Sequence, residues 1–119
     1  MNVRTQDAAL AEVDTNPIFT GEVRRQLLVS DDDAPSQRVT SITFVDGARN
    51  AWHAHSTEQV LVITDGAGIV ATETEEREVG PGDVVLIQPG ERHWHGAAPG
   101  RDMTHLSILL PSEMTVFDE

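Results

Sequence analysis

The chain has 119 residues, enough for one domain whose core needs no covalent staple. Eight Arg stand against twenty Asp plus Glu, a net charge of −12. A surface of that sign repels phosphate and argues against nucleic acid and anionic membranes as partners. Cys, Lys and Tyr are absent. Disulfides, thiolates, Schiff-base amines and phenols are therefore excluded, and any chemistry must come from His, carboxylates, hydroxyls, backbone amides or a bound metal.

Residues 1–17 read as a weakly structured arm, with one or two helical turns over 8–13 and a turn at Asn16-Pro17. From Gly21 onward, short β segments alternate with turn residues. They fall at 22–29, 38–45, 51–55, 59–64, 67–74, 77–79, 83–87, 92–97 and 103–110, and Pro111 stops the series. A strand every ~8–12 residues, each followed by a turn signal, is the pattern of an all-β sandwich or barrel. The expectation is a single domain over 1–119: an arm at 1–17, a barrel from about 20 to 111 and a loose acidic tail at 112–119. The apolar runs at 60–63 and 108–110 are far too short to span a membrane. The polar N-terminus shows no secretory signal, so a soluble, cytoplasmic protein is expected. Gly66-Ala67-Gly68 reads as a hairpin turn and Asp31-Asp32-Asp33 as a solvated loop, since neither has the flanking pattern of a phosphate or calcium site.

All five His lie beyond residue 52. In His53-Ala54-His55, strand alternation puts both imidazoles on one face and Trp52 and Ala54 on the other. His93-Trp94-His95 repeats the arrangement forty residues later. Two such pairs on separate strands of a small barrel can converge on one metal ion. His105 lies alone in the last strand, on the same face as Met103, Ser107 and Leu109.

The spacing Gly47-x5-His53-x-His55-x3-Gln59-x6-Gly66, followed by Gly82, Gly90 and His93, resembles the two motifs of the cupins. The resemblance covers residues 39–110. It implies a jelly-roll barrel, the double-stranded β-helix, with one divalent metal held by His53, His55, residue 59 and His93. The family's usual Glu is replaced by Gln59, which is preferred as ligand over Glu58 because Glu58 points the other way along the strand. Three imidazoles and an amide leave the +2 charge of the ion uncancelled. Such a site polarises a bound oxygen more strongly and welcomes an anion.

Ala51-Trp52-His53, Pro89-Gly90-Glu91, His93-Trp94-His95-Gly96 and Met103-Thr104-His105-Leu106 are similar to the small manganese-dependent cupins with (R)-hydroxynitrile lyase activity. That similarity implies manganese as the ion, with iron, nickel or zinc as alternatives. It also implies acid–base roles for His105 and His95, and a homodimer or larger homo-oligomer. Thr40 and Ile42 fall at its pocket-wall positions, and Leu109 stands where the subgroup can carry Gln. The expected activity is cleavage or synthesis of a cyanohydrin, or a related reaction of a small oxygenated molecule. His105 would take the proton, His95 would stabilise the anion, and Thr40, Ile42, Phe44 and Leu109 would shape an apolar cavity. A cupin-type dioxygenase and a non-catalytic small-molecule-binding cupin are the alternatives.

Overall fold

Alternating residues along 103–109 meet two environments. Met103, His105, Ser107 and Leu109 are buried, while Thr104, Leu106 and Ile108 are half-buried. That period of two is what a strand needs to present one face to a barrel interior. The computed structural model describes residues 1–117. A short 3-10 turn over Ala8–Leu10 is followed by β1 (Glu12–Val13), β2 (Phe19–Thr20), β3 (Val23–Val29) and β4 (Arg38–Phe44). Then come β5 (Arg49–Asn50), β6 (His53–His55), β7 (Gln59–Gly66), β8 (Gly68–Thr72) and β9 (Glu76–Val79). The series closes with β10 (Val84–Ile87), β11 (His93–Ala97), β12 (Met103–Leu109) and β13 (Met114–Val116).

Two antiparallel sheets build the expected jelly-roll barrel. One runs β1-β3-β4-β12-β7-β10, and the other runs β13-β6-β11-β5-β2, with β8 on the far side of β11 and β9 beyond it. β11 is thus a central strand, flanked by β8 along its whole length and by β6 and β5 in succession on its other edge. Gly96 permits this: a Cβ there would lie 2.5 Å from Ala48 O and from Arg49 Cβ, so only glycine lets β5 approach so closely.

The apolar core gathers at one end of the barrel, where Val23, Phe44, Ala48, Ile63, Ala97 and Met103 pack together. Each inward row runs outward from that core. β12 passes from Met103 through His105 and Ser107 to Leu109. β4 passes from Phe44 through Ile42 and Thr40 to Arg38, and β7 from Ile63 through Leu61 to Gln59. The interior changes from dry to polar to open along the strand direction.

Four short strands, β1, β2, β5 and β13, carry too little pattern to be seen in the sequence. The consequential one is β13, which lies in the stretch expected to be loose. Met114 pairs with His55, Thr115 with Ala54 and Val116 with His53, and Ser56 N–H donates to Glu113 O at 2.9 Å. The edge of β6 needs backbone partners, and the chain after Pro111 supplies them. Deleting the chain from Ser112 onward should therefore weaken metal retention on the order of tenfold or more, the range for losing groups that orient metal ligands. Chelator competition on folded protein measures this, and unchanged retention would refute the link.

Candidate functional site

Four strands deliver the site. β6 contributes His53 and His55, β11 contributes His93 and His95, β12 contributes His105 and β7 contributes Gln59. His93 pairs directly with His53 across the β6–β11 ladder, and their ring centroids lie 4.2 Å apart. One donor atom from each of His53, His55 and His93 lies within 4.8 Å of the others. The Nδ1–H of His53 donates to Ala51 O at 2.7 Å, and that of His93 to Glu91 O at 2.8 Å. These two backbone carbonyls fix the tautomer and leave each Nε2 with its lone pair.

The donor set fits a metal ion on an independent observation. His93 Nε2 and Gln59 Oε1 are buried with no hydrogen-bond partner among the described residues. Gln59 is oriented by donation from Nε2 to Ser107 Oγ at 2.8 Å, which leaves its amide oxygen as the available acceptor. Buried polar atoms are seldom left unpaired, and a cation would satisfy both. Imidazoles and an amide oxygen suit a first-row divalent ion. Glu58 is exposed and lies outside the three-histidine group.

Beside this centre lies a second pair. His95 and His105 are buried, with ring centroids 4.9 Å apart, and His105 Nε2 lies 3.2 Å from His95 Nδ1. Phe44 packs edge-on to His95 at 5.7 Å and against His105 at 5.6 Å. A cavity of about 340 Å³ opens in front of them. Thr40, Ile42 and Leu109 line it, together with His53, His55, Gln59, His95, Asn50 and Ser107. Two expectations change here. Phe44 is fully buried in the apolar core beneath the pair and is not a cavity wall, because its strand has by then reached the dry end of the barrel. His95 lines the cavity, whereas His105 lies behind it.

The cupin domain family matches residues 41–109, which hold all five histidines and Gln59. The chain belongs to the cupin family. Over 91 residues this cupin is 48% identical to an (R)-mandelonitrile lyase of Granulicella tundricola, a match spanning 76% of this chain and 70% of the relative. It is 32% identical over 93 residues to an acireductone dioxygenase of Rhodopseudomonas palustris, spanning 75% of this chain and 53% of that protein. A cupin-like protein from Thermotoga maritima superposes with a TM-score of 0.83 at 30% identity, covering 98% of this chain and 89% of that one. No helix among the described residues is long and apolar enough to cross a membrane.

Several site residues of this cupin carry no signal in the sequence. Asn50 accepts the backbone N–H of His95 on its Oδ1 at 2.9 Å, so its amide nitrogen faces the His95 ring, 3.4 and 3.3 Å from the two ring nitrogens. It sits on the two-residue strand β5, which is too short to show a period. Ile18 and Phe19, just after the arm, and Met114 from the tail also line the cavity, a fact that only closure of the barrel decides. Arg38 is legible, since it continues the alternation of Thr40 and Ile42. A second cavity of similar volume, by β9 and β10, is lined by Glu75, Glu78, Asp83 and Glu91 with Val79 and Ile87, and holds no imidazole.

Burial keeps the five imidazoles neutral. Desolvation, then repulsion by His93, pushes His53 down to about 3 and His55 down to about 4, and Arg38 adds to the effect on His55. Burial also brings His105 down to about 4, and lowers His93 and His95. The sign of the linkage follows. In metal-free protein, stability is complete above the unfolded-chain value of ~6.5 and falls as pH drops toward the native values, because only the unfolded chain takes the protons. Each histidine that stays neutral should cost about 1.4 kcal/mol per pH unit in that window. Urea titrations of metal-free protein at pH 7, 6 and 5 should show a steep fall, and a flat profile would contradict the burial of these rings as neutral groups. The Gln59→Glu variant should hold metal more tightly and bind azide more weakly, since its carboxylate cancels part of the ion's charge. Azide titration of metal-loaded parent and variant checks this, and equal or tighter azide binding by the variant would remove Gln59 from the ligand set.

Proposed function

We propose that this cupin is a divalent-metal-dependent lyase that cleaves and forms small cyanohydrins, with His53, His55, Gln59 and His93 holding the ion, manganese for preference. The observation that carries the reading is the second histidine pair. His95 stands on the cavity wall with His105 directly behind it, and neither belongs to the three-histidine group. A site that only bound a ligand would not need a buried relay of this kind. The 48% identity to a protein named (R)-mandelonitrile lyase supports the same choice.

When bound, the ion supplies Lewis-acid polarisation of an oxygen at the site. The chain's own residues do the rest. One hydrogen occupies the 3.2 Å contact between His95 Nδ1 and His105 Nε2. With that hydrogen on Nδ1, the Nε2 of His95 keeps its lone pair and accepts the substrate hydroxyl proton. The electron pair of the O–H bond becomes the second bond of the carbonyl. The carbon–cyanide bond breaks with its pair on cyanide, and His95 returns the proton to give hydrogen cyanide and an aldehyde. Asn50 holds His95 in place, and Thr40, Ile42 and Leu109 give the organic part of the substrate an apolar wall. The sequence pattern assigns proton removal to His105. The geometry favours the reverse order, with His95 as the base and His105 positioning it.

His95→Ala should keep its metal and lose about 10²–10⁴-fold in turnover of mandelonitrile, the range for a general base. His105→Ala should lose less. Benzaldehyde release by metal-loaded protein measures both, and near-normal turnover in His95→Ala would end the assignment. A second reading, a metal-dependent dioxygenase, draws on the 32% identity to acireductone dioxygenase. Oxygen consumption by iron-loaded protein with an acireductone, in the absence of cyanohydrin turnover, would favour it.

A further inference from the structure

Two guanidinium groups stand on the cavity lining. Arg25 pairs in register with Ile42, and Arg38 with Leu109, so both lie on the concave face of the six-stranded sheet. A concave position beside an apolar wall is ordinarily filled by an aliphatic residue. Both side chains are partly exposed, Arg25 at 52% and Arg38 at 35%, so their ion pairs contribute little to the fold. Arg38 is held by a two-pronged fork, with Nε donating to Asp31 Oδ1 at 2.8 Å and Nη2 to Oδ2 at 2.7 Å. Arg25 is held loosely: its side chain is 52% exposed and its ion pair with Asp14 is long, at 3.8 Å. Asp14 is itself engaged, accepting from Asn16 N–H at 3.0 Å.

The register across β4, β12 and β7 reads Arg38–Leu109–Gln59. Two strand spacings, roughly 10 Å of backbone, therefore separate Arg38 from the metal-facing amide. A small bifunctional molecule that reaches the metal-facing amide with one group and a guanidinium with the other spans a gap of that order.

We propose that the substrate is a short-chain oxo- or hydroxy-acid whose carboxylate, several bonds from the reacting oxygen, seats against Arg25 and Arg38. The proposal rests on reading this cavity as the active site and names its substrate class. A neutral donor set would leave the charge of a bound ion uncancelled, and at the other end of the cavity stand two guanidinium groups, each paired with an aspartate. Asp14 and Asp31 balance the arginines in the free protein, and the substrate carboxylate competes with them for the guanidinium donors.

The test is calorimetric titration of manganese-loaded protein with 4-oxopentanoate and with its methyl ester, which have the same chain and ketone but differ in charge. The acid is expected to bind at least about tenfold more tightly, equivalent to about 1.4 kcal/mol. The double variant Arg25→Gln with Arg38→Gln should bring the two ligands within about twofold, with ester affinity unchanged. Equal binding by the parent, no binding of either ligand, or a preference that survives in the double variant overturns the proposal. Should the double variant fail to fold, Arg25→Gln alone must lower acid affinity about threefold or more with the ester unaffected, and no change overturns it. Because the readout is binding, discrimination without cyanohydrin turnover defeats the lyase reading and spares this one. Turnover without discrimination does the reverse.

Discussion

His53 and His93 face one another across a single backbone ladder, and two main-chain carbonyls hold their outer nitrogens. The rest of the site is laid out from that pair. His55 and His95 follow two residues further along their strands, so alternation alone returns them to the same interior. Four buried imidazoles beside a half-buried fifth are a costly arrangement in any protein: each must stay neutral, and each needs its nitrogens satisfied. Ala51, Glu91 and the contact between His95 and His105 satisfy some of them. The buried Nε2 of His93, the amide oxygen of Gln59 and the Nδ1 of His105 have no hydrogen-bond partner among the described residues, and a cation at the three-histidine group would satisfy the first two.

The gradient along the inward rows explains how so polar a centre coexists with so small a barrel. Phe44, Ile63 and Met103 close one end with apolar contacts, and the histidines stack against that floor through Phe44. Further along the same strands come Ser107, Gln59 and Thr40, and then the open end with Leu109 and Arg38. Stability and chemistry share each strand but occupy different stretches of it. The dry floor keeps the His95–His105 pair neutral, which the proposed base role needs.

Charge divides the molecule in a similar way. Acidic groups dominate the chain as a whole, while the cavity lining carries Arg25 and Arg38 against the carboxylate of Asp14, beside candidate metal ligands that are all neutral. Fields of opposite sign inside and outside a cleft direct anions inward. In the proposed reading, Gln59 in place of the family's usual Glu adds to the same preference for anions.

The all-β class and the convergence of two His-x-His pairs are legible in the amino-acid sequence, because both rest on periods of two, whereas the choice of His93 to join His53 and His55 is implied by the cupin resemblance. Gln59 is a candidate ligand through the resemblance to the cupin motif, and its amide oxygen is buried without a partner. Periodicity says which face a side chain takes but not how far along the barrel it lies, nor what stands in front of it. For that reason the sequence pattern puts His105 and Phe44 on the cavity wall, whereas His95 and the core cover them. Asn50, Arg25 and the strand at Met114–Val116 depend on which strands become neighbours, and two- or three-residue strands carry no pattern of their own. The sequence by itself determined which residue types could meet on the interior face. Only closure of the two sheets decided which of them touch, since those contacts are made between strands far apart in the chain.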